Sequence, residues 1–147
     1  MIVVDTSVFL DELFQFEQER HEKAPLLFRI IQNDEIPIIE PELFKIELIG
    51  QLVRRMKQTE ATVLFDSVIT RLKFVRTNEL EDLAFSVALA TGSRAIDSFF
   101  IAASNLKTAF LVSNDKLQVE SAEKFGVEVY YLLDEFEKVK ERLQSQL

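Results

Sequence analysis

Short runs of β-branched and aliphatic residues alternate along the chain with longer stretches whose apolar residues recur at helical spacing. The runs predict strands over Ile2 to Asp5, Ile36 to Ile39, Leu72 to Val75, Ala109 to Ser113 and Val127 to Leu132. The stretches predict helices over Ser7 to Phe16, Glu22 to Asn33, Pro41 to Lys57, Glu60 to Ile69, Leu80 to Thr91, Arg94 to Asn105, Lys116 to Phe125 and Asp134 to Gln144. Every gap between strands holds one or two helices, which is the βαβ rhythm of a parallel sheet covered on both faces. The punctuation agrees: Pro41 stands where a first-turn proline is tolerated, Gly92 where a helix needs a left-handed stop, and Ser93 where the next helix needs a cap.

Composition makes this a single α/β domain spanning residues 1–147. At 147 residues and 48% hydrophobic, the chain can bury a core without disulfides or a structural metal, and three Gly and three Pro leave no low-complexity linker. There is no cysteine and only one histidine, His21, which excludes thiol chemistry, zinc ribbons and multi-histidine metal sites. No apolar run approaches the ~18 residues of a membrane span, and the opening MIVVDTSVFL has neither a basic region nor a cleavage site, so we expect a cytoplasmic protein with no membrane partner.

Charge changes the picture locally. Seventeen Lys and Arg against 25 Asp and Glu give a net charge of −8, which argues against indiscriminate coating of nucleic acid. Between Glu40 and Arg76, however, seven basic residues stand against five acidic ones. Arg54, Arg55 and Lys57 are either a solvated helix end or a guide for phosphates.

In a parallel sheet of this kind, ligands bind beyond the carboxyl ends of the strands, where strand order reverses. Asp5-Thr6-Ser7 follows the first strand and Ser113-Asn114-Asp115 ends the fourth. Either Asp5 or Asp115 could simply cap the helix that follows. A strand order of 3-2-1-4-5 would instead bring the two acids face to face. Asp97 lies at helical spacing among Phe100, Ile101 and Ser104, so its carboxylate must be paired, hydrogen-bonded or metal-bound, and an ion pair with Arg94 would satisfy it. Glu47 projects away from the stripe formed by Ile49, Leu52, Val53 and Met56, and periodicity alone leaves it solvated. No Lys or Arg is expected at the strand tips that carry Asp5, Asp97 and Asp115. There is no glycine-rich phosphate loop, and the 13 Phe follow core spacing more than that of a base-stacking platform.

Taken together, Asp5-Thr6-Ser7, Glu47-Leu48, Asp97 in an Ala-rich helix and Ser113-Asn114-Asp115 resemble the PIN domain family, and VapC-type toxins within it, over Ile2 to about Leu133. The resemblance implies a three-layer α/β/α fold with a five-stranded parallel sheet of order 3-2-1-4-5. It implies an acidic quartet of Asp5, Glu47, Asp97 and Asp115, with Glu42 a nearby alternative to Glu47 and with Thr6 and Ser113 as supporting hydroxyls. Asp5, Asp97 and Asp115 would ligate Mg²⁺ or Mn²⁺, hard cations suited to oxygen donors. The implied activity is RNA hydrolysis to 5′-phosphate and 3′-hydroxyl ends. The implied partners are RNA, an antitoxin and a second copy of the chain, the homodimer being expected from the dense apolar residues of the first two helices, Phe9, Leu10, Leu13, Phe14, Phe16, Leu26, Leu27, Phe28, Ile30 and Ile31. A free-standing RNA-processing nuclease and a non-catalytic PIN-fold scaffold are the alternatives. A phosphoreceiver domain would need adjacent acids after the first strand, and a haloacid-dehalogenase-type phosphatase would need Asp where Ser7 stands.

Overall fold

The computed structural model describes residues 1–147 and contains five strands and eight helices. In chain order these are β1 (Ile2–Val4), α1 (Thr6–Leu13), α2 (Gln18–Asn33), β2 (Ile39–Pro41), α3 (Leu43–Val53), α4 (Gln58–Ile69), β3 (Lys73–Val75), α5 (Thr77–Thr91), α6 (Ala95–Lys107), β4 (Phe110–Ser113), α7 (Lys116–Phe125), β5 (Val129–Tyr131) and α8 (Leu132–Gln144).

All strand pairs are parallel, but the expected continuous five-stranded sheet is not formed. The ladders are β1-β4-β5 and, separately, β2-β3. A single bridge, Ile2 with Ile38, and the hydrogen bond from Ile2 N–H to the Pro37 carbonyl join the two pieces. The reason is chemical. Two residues further along, the Val4 N–H donates to the Glu40 side chain (2.7 Å) instead of a backbone carbonyl of the second strand. A carboxyl group has been wedged into the ladder, and β1 and β2 part beyond it.

Helices α1, α2 and α8 pack together on one side, while α6, with α5 and α7 against it, lies along β1, β2 and β4. The β1 and β4 strands are fully buried, as central strands of a parallel sheet require, and they anchor a core of 34 buried apolar residues. Phe9, Phe28, Phe44 and Phe100 form a chain of tilted and edge-on ring contacts through that core. The expected apolar surface on the first two helices dissolves here: Phe9, Leu27, Phe28 and Ile31 are buried and Leu10, Leu13, Phe14 and Ile30 pack against the core. Only Phe16 and Leu26 stay exposed.

The predicted helix over Pro41 to Lys57 is shorter at both ends. Pro41 closes β2, the helix stops at Val53, and Lys57 caps α4. Gly92 ends α5 at φ +71°, the left-handed region in which a Cβ would be strained, and so turns the chain directly into α6. Ser93 does not cap α6. That position falls to Arg94, while the Ser93 hydroxyl bonds to those of Thr91 (3.0 Å) and Ser98 (2.7 Å).

Candidate active site

The neighbouring strands β1 and β4 carry their C-terminal residues to one edge of the fold, where Asp5 and Ser113 meet. Asp5 sits at the N-cap position of α1, yet its carboxylate makes no cap bond. Its Oδ2 accepts instead from the hydroxyls of Ser7 (2.8 Å) and Ser113 (2.8 Å). Burial pushes the Asp5 carboxyl up to about 7, against the lowering effect of those two hydroxyls. The Ser7 and Ser113 hydroxyls thus both hold Asp5, while the buried Thr6 hydroxyl lies beside the Glu47 carboxylate.

Asp115 does cap α7, its Oδ1 accepting from the Leu117 N–H (3.0 Å). One oxygen is therefore spent on the helix, and Oδ2 faces Arg94 at 3.6 Å. Asp97 is buried at the first turn of α6, and the Arg94 Nε stands 3.1 Å from its Oδ2. Burial raises the Asp97 carboxyl and Arg94 opposes the shift. The anticipated Arg94–Asp97 ion pair exists, but it is not a closed internal pair: the Arg94 side chain is 72% exposed and shared with Asp115. The expectation of no cation at these acids is therefore wrong, and Arg94 is the residue that overturns it. Behind Asp97, the buried Gln118 side-chain amide donates to its backbone carbonyl (3.2 Å) and ties α7 to α6.

Glu47 is half-buried, not solvated. The buried stripe of α3 runs through Phe44, Leu48 and Leu52, and Val53 points outward. That rotation, set by packing against α1 and α6, turns Glu47 toward the other acids. Burial raises its carboxyl, and the charges of Asp97 and Asp115 add to the effect. Glu42 lies elsewhere, accepting from the Thr77 N–H (3.0 Å) across the start of α5.

Two further groups went unrecognised in the sequence. Glu40 is completely buried below the strand tips, its carboxyl held well above the usual range by burial, with a smaller contribution from the charge of Asp5. Its Oε2 has no partner. An acid inside the apolar run between Pro37 and Pro41 was the available signal. Asn114 links the layers, donating to Asp11 (2.8 Å) and accepting from the Leu133 N–H (3.2 Å).

The basic residues separate. Arg54 lines a groove of about 430 Å³ together with Glu47, Gly50 and Ile96. Arg55 folds back onto the rings of Phe14 and Phe16 (5.6 and 5.1 Å) and the Gln51 side chain (2.8 Å). Lys57 is exposed beyond the end of α3.

The donor set suits a small hard cation: carboxylate oxygens without sulfur or imidazole, with a buried Thr6 hydroxyl beside Glu47. The carboxylates are not preassembled, since no three stand close enough to enclose one ion as they lie. Asp5, Asp97 and Asp115, with Glu47 beside them, are the carboxylates that could hold one only if they drew closer together.

Known proteins agree with this architecture. A search of curated protein sequences finds no match. Among solved structures, FitAB bound to an IR36 DNA fragment is similar over 88% of this chain and 94% of that one, at 15% identity and TM-score 0.63. PAE2754 from Pyrobaculum aerophilum is similar over 98% of this chain and 96% of that one, at 17% identity and TM-score 0.62. FitAcB from Neisseria gonorrhoeae is similar over 88% and 96%, at 17% identity and TM-score 0.60. These likenesses concern the fold. The PIN domain family model matches residues 2–124, a span that holds all four acids and the tips of β1 and β4, and the chain belongs to the PIN domain family.

Proposed function

We propose that this protein is an endoribonuclease that hydrolyses RNA phosphodiester bonds with Mg²⁺ or Mn²⁺, and that it is the toxin of a VapBC-type pair. PIN domains are generally nucleases that use divalent cations. What supports the reading for this chain is that Asp5, Glu47, Asp97 and Asp115 lie near enough to act on one another's charge beyond the ends of β1 and β4, with three of the four carboxyls raised by burial. Acids forced together in a partly dry site are poor anions until a cation joins them. A bound divalent ion supplies Lewis acidity, lowering the pKa of water and offsetting charge on the leaving oxygen.

The chain's own groups then divide the remaining tasks. Ser7 and Ser113 fix the orientation of the Asp5 carboxylate. The α7 backbone immobilises Asp115 through one oxygen and leaves the other available. Glu47, half-buried with its carboxyl raised by burial, suits a group that takes up a proton during the reaction. Arg54, on the groove beside Glu47, and Lys57 beyond it are exposed cations that can meet an RNA backbone. An in-line attack of water leaves 5′-phosphate and 3′-hydroxyl ends.

The antitoxin follows from the resemblance to VapC-type toxins, and FitAB, a structural neighbour carried on DNA, is consistent with a DNA-binding partner. We propose a cytoplasmic homodimer as well, now resting on the exposed Phe85 and Leu89 of α5 rather than on α1 and α2. No helix is long and apolar enough to cross a membrane.

The test is cleavage of single-stranded RNA in Mg²⁺ and Mn²⁺. Activity should stop with chelator and fall by at least about a hundredfold in Asp5→Asn, Asp97→Asn and Asp115→Asn proteins that remain folded. Undiminished cleavage in excess chelator rules the mechanism out.

A further inference from the structure

Arg94 is a cation among acids. Its Nε stands 3.1 Å from Asp97 Oδ2 and its Nη2 3.6 Å from Asp115 Oδ2, so one guanidinium spans carboxylates delivered by two different helices. Glu47 feels the same charge. The backbone around it is firmly held: Gly92 makes the turn, the Thr91, Ser93 and Ser98 hydroxyls interlock, and the Ser98 hydroxyl donates to the Arg94 carbonyl (2.9 Å). The side chain is not held in the same way. It is 72% exposed, against 11% for the Asp97 side chain and 31% for that of Asp115. Exposed ion pairs are weak, and a long side chain can leave one at little cost.

Arg94 also borders a groove of about 460 Å³ that runs from Asp97 past Ser93 and Ser121 to Lys124. Two cations, Arg94 and Lys124, line this groove together with the carboxylates of Asp97 and Glu120, so an Arg94 freed from its acids has a cationic neighbour with which to meet a phosphate. A guanidinium forks onto phosphate oxygens more readily than an ammonium does, because its donors lie in one plane.

We propose that Arg94 exchanges partners during the reaction: it neutralises Asp97 and Asp115 while no divalent cation is bound, is displaced when one binds, and then holds an RNA phosphate at the mouth of the Lys124 groove. This rests on the metal-dependent nuclease reading above. It explains why the acids can stand near one another in the free chain without an ion. It also makes Arg94 a substrate-binding residue available only to the loaded site.

The experiment uses the full chain and Arg94→Gln, with two readouts besides cleavage. Mn²⁺ binding by titration calorimetry should tighten roughly two- to fivefold in R94Q, the range expected for loss of one exposed ionic competitor. Anisotropy of a labelled single-stranded RNA should show binding weakened roughly fivefold or more by R94Q in Ca²⁺, and hardly at all in chelator, because only the displaced guanidinium meets phosphate. Unchanged or weaker Mn²⁺ affinity in R94Q overturns the exchange, as does an RNA defect of equal size with and without Ca²⁺. Asp97→Asn serves as the reference: Mn²⁺ binding that D97N abolishes but R94Q leaves alone defeats this inference and keeps the nuclease reading. Absence of Mn²⁺ binding to the unaltered chain defeats both.

Discussion

Replacing Asp5 by Asn should make the protein inactive and, above neutral pH, more stable. Asn keeps a carbonyl oxygen where Asp5 Oδ2 accepts the Ser7 and Ser113 hydroxyls, and it removes an acid that folding has moved from 3.8 to about 7. The sign follows from which state holds the proton. Between those two values the folded chain keeps it and the unfolded chain releases it, so stability falls as pH rises through the interval. The full interval corresponds to about 4 kcal/mol at 1.36 kcal/mol per pK unit, and the part lying between pH 5 and pH 8 to about 2–3 kcal/mol. Urea unfolding of both proteins in chelator should therefore show the stability difference moving in favour of D5N by about that amount from pH 5 to pH 8. Added Mg²⁺ at pH 8 should raise the stability of the unaltered chain and leave D5N behind if the ion binds the folded state through this carboxylate, as proposed. A difference that stays flat across the pH range would refute the raised acid.

Other substitutions probe the supports and surfaces. Glu40→Ala leaves the Val4 N–H without its acceptor and opens a cavity, and should lower stability by about 2–4 kcal/mol, whereas Glu40→Gln, which keeps the acceptor, should lower it by less than half as much; chemical denaturation compares them. Arg54→Glu should weaken RNA binding and flatten its salt dependence more than Arg55→Glu, since Arg55 is engaged with Phe14 and Phe16; binding measured across a salt series decides, and equal effects would contradict it. Phe85→Glu with Leu89→Lys should convert a dimer to a monomer near 17.0 kDa in light scattering, and an unaltered chain that is already monomeric at micromolar concentration would remove the dimer.

The strand-helix alternation was legible because buried parallel strands and amphipathic helices leave separate periodicities, and α7 falls on its expected bounds from Lys116 to Phe125. Asp97 could be singled out for the same reason: a carboxylate on an apolar helix face is conspicuous. Glu47 was not, because the face a helix buries depends on the angle at which neighbours meet it, and α3 turned from the Ile49 side to the Phe44–Leu48 side. The broken ladder was hidden for a similar reason. Whether Glu40 points to water or into the gap beside β1 is a matter of tertiary placement, and no local propensity records it. Arg94 was visible as a neighbour of Asp97 three residues away, but its reach to Asp115 exists only after α6 and α7 have docked.

The carboxyl wedge at Glu40 divides the acid cluster between two pieces of framework. Asp5 and Asp115 travel with β1 and β4, which are laced together up to the Asp5 N–H on the Val112 carbonyl (2.9 Å), while Glu47 follows the β2-β3 piece through α3. Helix α6, carrying Asp97, lies across the seam, touching β1, β2 and β4. The spacing between jaws is then set less by backbone hydrogen bonds than by side-chain packing, which yields over fractions of an ångström where a ladder would not. A nuclease of the proposed kind, whose ligands would draw in around an ion and release a cut strand, gains from such a seam, and a continuous sheet would have fixed the gauge once and for all.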